Sequence, residues 1–167
     1  MSIPLFDQYG VDLVLCGHEH HYERSLPVRG VDASSLTLIP QPVPTNGPVV
    51  DSSQGTVHML IGGGGTSVPS NTFLFDQPEC KVTVGATPPD SSGRRQPVYV
   101  RETAIWSAFR DNNNPYGFAS FDVDPGLFPG DTTQITATYY AVQGAGVINP
   151  VDQVMLRRRR SDTPRHR

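Results

Sequence analysis

The chain has 167 residues, enough for one ordinary domain, and 37% of them are aliphatic, aromatic or Cys, so a core can form. Charged side chains are only 17% of the total, beside 16 glycines and 16 prolines, which excludes a coiled coil and favours short strands joined by long loops. The net charge of −3 divides into an acidic body of −8 and a C-terminal stretch, residues 157–167, of +5. The body therefore offers no basic patch for nucleic acid, no apolar run is long enough to span a membrane, and no signal peptide is visible at the N-terminus.

Ile3–Tyr9 reads as the last turns of a helix, with Leu5 and Phe6 facing inward and Gly10 as its C-terminal cap. Val11–Cys16 follows, nearly continuous in apolar residues and bounded by glycines. That is the pattern of a central strand buried on both faces, as in a parallel or mixed sheet. Leu26–Val31 suggests a short strand. Residues 33–55 carry Pro40, Pro42, Pro44 and Pro48 and read as an extended loop or insertion. Thr56–Ile61 is a second good strand and runs into Gly62–Gly65. Residues 66–97 read as mostly loop, a second insertion, with a strand at Cys80–Val84 and the most flexible piece at Ala86–Pro97. Val98–Arg101 and Thr103–Phe109 are strand-like, and Asn112–Pro115 turns the chain. Gly117–Val123 and Asp131–Val142 alternate with period two and read as a hairpin, with Ile135, Ala137 and Tyr139 on one face of the second strand. A last short strand at Gln153–Leu156 runs into the arginine-rich stretch, which reads as a disordered, solvated basic tail over 157–167. Two cysteines cannot form a disulfide framework, and a bridge from Cys16 in its strand to Cys80 in a loop is the less favoured arrangement.

Chemistry concentrates at one point. His18, His20 and His21 lie within four positions, directly after the C-terminal end of the first strand, where open α/β sheets place their sites. Gly17 permits a sharp turn or a close backbone approach. In an extended backbone His18 and His20 point to the same side, with Cα atoms roughly 7 Å apart. Such a pair suits one metal ion, or two ions about 3.5–4 Å apart. His21 then points the other way. His58 and His166 stand alone and read as structural or solvated, as does the Glu19 carboxylate. Gly62–Gly65 lacks the Lys-Ser/Thr of a phosphate loop and reads as a flexible turn near the site.

The stretch Tyr9–Ser25, with its Gly17-His-Glu-His20 core and the continuation Tyr22-Glu-Arg-Ser25, resembles the last motif of the metallophosphoesterase superfamily, and more closely its purple acid phosphatase branch. Gly55–Gly65, Trp106–Arg110 and Tyr116–Ala119 resemble later segments of those enzymes, in the same order. The resemblance implies an α/β fold: the mostly β C-terminal part of a metallophosphoesterase αββα sandwich, over residues 1–156. It implies a phosphate ester substrate, hydrolysed by a metal-bound hydroxide at a binuclear centre of Fe with Zn, Mn or Fe. His18 would bind one metal and His20 the other. Tyr22, Arg24 and His21 would lie around them, Tyr22 and Arg24 bracing the loop, or Arg24 meeting a substrate phosphate with its fork. The family suggests a secreted or periplasmic protein.

The family's earlier motifs, including the bridging aspartate, are absent from the chain; Gly10-Val-Asp12 and Gly130-Asp131 do not stand in for them. The expectation is therefore a C-terminal piece of such an enzyme, lacking the N-terminal part of the catalytic domain and inactive alone. The first apolar strand would be left open to self-association. The alternative is a non-catalytic β-rich module that binds one metal ion through the His18/His20 loop.

Overall fold

The computed structural model describes residues 3–45, 47–65, 79–111 and 113–161. One helix, α1 (Ile3–Tyr9), precedes a chain of strands. Gly10 ends the helix at φ 59°, a left-handed conformation that glycine adopts without steric cost. Only Ile3 of this helix is buried; Leu5 is exposed, and Phe6 rests its ring on His58 with centroids 5.6 Å apart.

The strands form two four-stranded sheets. The first has the order β1 (Leu13–Cys16), β6 (Val57–Ile61), β2 (Tyr22–Ser25), β9 (Ser107–Arg110); β1 and β6 run parallel and the other pairs antiparallel. The second has the order β10 (Gly117–Asp124), β11 (Thr132–Val142), β12 (Ile148–Arg159), β5 (Val49–Asp51). Here β10, β11 and β12 are antiparallel and β5 lies parallel to β12. Two hairpins stand apart, β3 (Val28–Val31) with β4 (Pro40–Pro42), and β7 (Glu79–Ala86) with β8 (Pro97–Thr103).

The two large sheets share one core. Tyr22, Val57 and Met59 from the first meet Val50, Ala137, Tyr139, Val154 and Leu156 from the second. Each strand contributes alternate residues, as the pleat requires. Tyr22 stacks on Tyr139 at 3.8 Å between ring centroids and 4° between planes, and Phe109 packs against Tyr22 at 5.9 Å. Among the described residues the architecture is mostly β with a single α-helix.

The hairpin expected over 117–142 is present, with Ala137 and Tyr139 in the core. Four expectations change. The strand expected over Val11–Cys16 is the outermost of its sheet, with β6 as its only ladder partner among the described residues, and Leu15 is 52% exposed. Among the described residues its last two side chains, Leu15 and Cys16, are left exposed. The proline-rich stretch 33–55 is not wholly loop: it contributes β4 and β5, and Val50 reaches the core. The turn between β7 and β8 is ordered by Asp90, which accepts from the amides of Ser92 and Arg94 and from the Ser92 hydroxyl. Finally, β12 is far longer than Gln153–Leu156 and takes in Arg157–Arg159, the start of the expected tail. Arg158 is held by the Gly10 carbonyl at 2.6 Å and by Asp12 at 2.9 Å, which orders a cation that composition alone assigns to solvent. Residues 162–167 of that tail, with His166, and residues 66–78 of the second expected insertion lie outside the described residues. Both cysteines are free, and Cys80 Sγ accepts a hydrogen bond from the Trp106 indole.

Met59 has no exposed surface and stands at the centre of the shared core, so Met59→Ala is expected to destabilise the chain by about 2–5 kcal/mol in urea unfolding. An unpaired edge that presents Leu15 invites association between copies. Leu15→Lys is expected to shift gel filtration toward monomer; an unchanged profile would place the association elsewhere.

Candidate functional site

Residues 17–21 join the parallel strand β1 to the antiparallel strand β2. Gly17 leaves β1, and His18 then adopts φ 83°, a left-handed conformation uncommon for a side chain of this size. The loop therefore bends over 18–21, and the extended backbone assumed from the sequence does not occur. A turn this short is needed because β1 and β2 both border β6 in one sheet but run in opposite directions. The loop closes on itself through the His21 amide, which donates to the Glu19 carbonyl at 2.9 Å.

The three histidines separate by environment. His18 and Glu19 are exposed and His20 is partly exposed, whereas His21 is 5% exposed. His21 Nε2 lies 3.4 Å from Glu23 Oε2, and its Nδ1 is buried without a hydrogen-bond partner among the described residues. Glu23 is further held by the Ser107 hydroxyl on β9, at 3.0 Å. His21 is thus tied to the sheet, while His18 and His20 keep exposed surface.

The glycine-rich loop is built against this turn. The Gly62 amide donates to the His21 carbonyl at 3.0 Å, and a side chain at Gly62 would overlap the Glu19 carbonyl. A Cβ at Gly63 would stand 2.9 Å from the Tyr139 hydroxyl and 3.1 Å from the Gly117 amide nitrogen. These two glycines therefore serve close approach, a narrower role than the flexible turn expected from the sequence. Burial, with the charge of Asp111, pushes the Tyr139 hydroxyl up to about 12, so it is neutral at physiological pH.

Tyr22 and Arg24 leave the loop on β2 and point into the core side of the sheet. Both meet one residue, Asp152 of β12. Tyr22 Oη donates to Asp152 Oδ2 at 2.7 Å. Arg24 Nε donates to the same oxygen at 2.7 Å, and Arg24 Nη2 to Oδ1 at 2.8 Å. The Arg24 and Asp152 side chains are only 13% and 8% exposed. Burial, then the hydrogen bond to Asp152, drives the Tyr22 hydroxyl far above its ordinary value, so it remains a donor. Burial opposes the charge of Arg24, but the hydrogen bond and charge of Asp152 outweigh it and raise the guanidinium.

Asp152 is a site residue that sequence reasoning missed. A signal exists: Asp152, Val154 and Leu156 share one face of β12, so an acid interrupts an apolar row. The row becomes visible only once the strand is known to begin at Ile148.

Among the described residues, no group of three or more His, Cys, Asp or Glu side chains is placed to hold a metal ion. His18 and His20 are accessible imidazoles of the right chemistry, but a zinc site commonly takes four ligands and a binuclear site needs carboxylates too. The residues present fit part of such a shell.

The chain is 58% identical over 156 residues to two uncharacterized proteins of Mycobacterium tuberculosis, MT2654 and Rv2577, covering 92% of this chain and 29% of each relative. The chain thus spans under a third of the length of these curated relatives. It is also 34% identical over 64 residues to probable inactive purple acid phosphatase 1 of Arabidopsis thaliana, covering 38% of this chain and 9% of that protein. No family model and no solved structure matches.

Under Phe6, His58 has a buried Nε2 without a hydrogen-bond partner among the described residues, and burial lowers its pKa against the opposing charge of Asp7. The unfolded chain therefore binds this proton first as the pH falls. Stability from the neutral imidazole is complete above about pH 6.5 and is lost as the pH drops toward the lowered folded value. Between about pH 7.5 and about pH 5.5 the wild-type urea midpoint is expected to fall more than that of His58→Gln. Equal falls would assign the acid sensitivity to other groups.

Proposed function

We propose that this chain is the C-terminal part of a purple-acid-phosphatase-like phosphoesterase, and that His18 and His20 are its contribution to a two-metal centre. One observation carries the reading. A His-x-His that follows Gly17 sits at the C-terminal end of a parallel strand, in a turn strained at His18 and packed against Gly62, where a side chain would overlap the Glu19 carbonyl. Strain of this kind, held in place by its surroundings, is characteristic of binding and catalytic sites. The partial similarity to a purple acid phosphatase supports the same reading, although the name of that relative marks it as inactive.

In this reading His18 and His20 would hold the metals through their imidazole nitrogens, and the metals would supply Lewis-acid activation of water and of the phosphoryl oxygens. The remaining ligands, with the bridging carboxylate, would come from sequence of the kind that makes the mycobacterial relatives longer. The substrate class is a phosphate ester, monoester or diester. Arg24 belongs to the support of the loop, since its fork is taken by Asp152. His21 belongs with it, buried against Glu23.

Zinc titration by calorimetry tests the loop directly. Wild type is expected to bind one ion weakly, and His18→Ala and His20→Ala are each expected to remove that binding. Unchanged affinity in both variants would end the metal reading. In a p-nitrophenyl phosphate assay the chain by itself is expected to show no turnover above background. Robust metal-dependent turnover would show that the centre is complete without further sequence.

A further inference from the structure

We infer that Asp152 is the positioning residue of the histidine loop: a buried carboxylate on β12 that sets where His18 and His20 stand. The inference rests on the phosphoesterase reading for its purpose, but its geometry stands independently.

Asp152 reaches the core through an irregularity in its own strand. β11 and β12 pair Tyr139 with Asp152 but Tyr140 with Pro150, which leaves Val151 as an extra residue. A bulge of this kind re-aims the side chains that follow it. From there on Asp152, Val154 and Leu156 form the inward row, and Asp152 lies beside the Tyr139 ring on which Tyr22 stacks.

Both carboxylate oxygens of Asp152 are used by β2, and the residues they hold are those that leave the loop. Tyr22 directly follows His21 and is fixed twice, by its ring on Tyr139 and by its hydroxyl on Asp152. Arg24, two residues on, adds two more bonds from its planar fork. A bidentate guanidinium–carboxylate pair is directional, so it sets the angle as well as the distance of β2. The same end of the loop is held again by the Gly62 amide on the His21 carbonyl. His18 and His20 sit between these fixings and the paired end of β1, Cys16 against Leu60, in a turn of five residues that has little length to absorb a shift of either end. Metal ligation and phosphoryl transfer both need such control, because a displacement of about 1 Å can cost on the order of a hundredfold in rate.

A purely structural role would be met as well by apolar residues of similar volume, since a buried ion pair adds little net stability over such a replacement. That contrast defines the test, made on the full chain. Tyr22→Phe keeps the stacked ring and the ion pair but removes one bond to Asp152. The triple variant Tyr22→Phe, Arg24→Met, Asp152→Leu replaces the whole cluster with apolar side chains and leaves no buried charge. The readouts are the urea midpoint, the exchange rate of the His21 amide, the imidazole NMR resonances of His18 and His20, and zinc affinity.

The triple variant is expected to keep a urea midpoint near wild type while its His18 and His20 resonances shift and broaden and its zinc affinity falls by about 10–100-fold. Tyr22→Phe is expected to shift the same resonances and to speed exchange at His21 by about 2–10-fold, the usual worth of one hydrogen bond. Wild-type imidazole resonances and His21 exchange in whichever of the two variants folds would overturn the inference. Shifted resonances in a chain whose wild type binds no zinc through His18 and His20 would uphold the positioning role and refute the phosphoesterase reading.

Discussion

A carboxylate placed between two sheets must find partners or cost several kcal/mol, and among the described residues Asp152 finds them on β2. That requirement locks one sheet to the other. The alternating apolar rows of β6, β11 and β12 bring the sheets together, but hydrophobic contact is non-directional and tolerates sliding. The Arg24 fork does not, because both of its bonds to Asp152 depend on angle. Removing either partner alone would leave a buried uncompensated charge, at a cost of about 3–5 kcal/mol. The Tyr22–Tyr139 stack lies against this pair and fills the space around it, so the register between β2 and β12 is set by packing and by charge together.

The remaining features of the site follow from that register. With Tyr22 fixed, the chain has only residues 17–21 in which to turn from β1 into β2, and His18 takes up the left-handed conformation this demands. A side chain at position 62 would overlap the Glu19 carbonyl, and one at position 63 would crowd the Tyr139 hydroxyl, so the glycine-rich loop becomes one wall of the histidine turn. The outer face of the same sheet carries a separate polar group, Glu23 with His21 and Ser107. The histidine turn is thus supported from both faces, and the two imidazoles best suited to a ligand are the two that keep exposed surface.

Much of this was legible in advance where a pattern is local. The period-two alternation of 117–123 and 131–142 identified a hairpin and its inward residues, because a strand with one buried face repeats every second position. The cap at Gly10 and the strand over 57–61 were legible for similar reasons. The misreadings share a cause. An apolar run such as 11–16 shows which surfaces avoid water, but not whether this chain itself covers them, and here β1 stands at an edge. Pro-rich sequence disguised β5, whose pairing depends on β12 more than a hundred residues away. Arginine-rich sequence disguised the end of β12, where Arg158 is ordered by Gly10 and Asp12 at the other end of the chain.

The sequence by itself determined the chemistry: which residues can donate to a metal, that they follow a strand, and that glycine surrounds them. It also determined the β-rich class, since alternation and turn residues are properties of neighbouring positions. Only the tertiary structure decided which histidine is buried and which is accessible, and what Tyr22 and Arg24 grip. Those outcomes depend on Asp152, 128 residues beyond Arg24, and no local pattern can encode a partner at that distance. The physical reason is that secondary structure arises from short-range sterics and hydrogen bonds, whereas a buried charge is satisfied only by whatever the fold brings beside it.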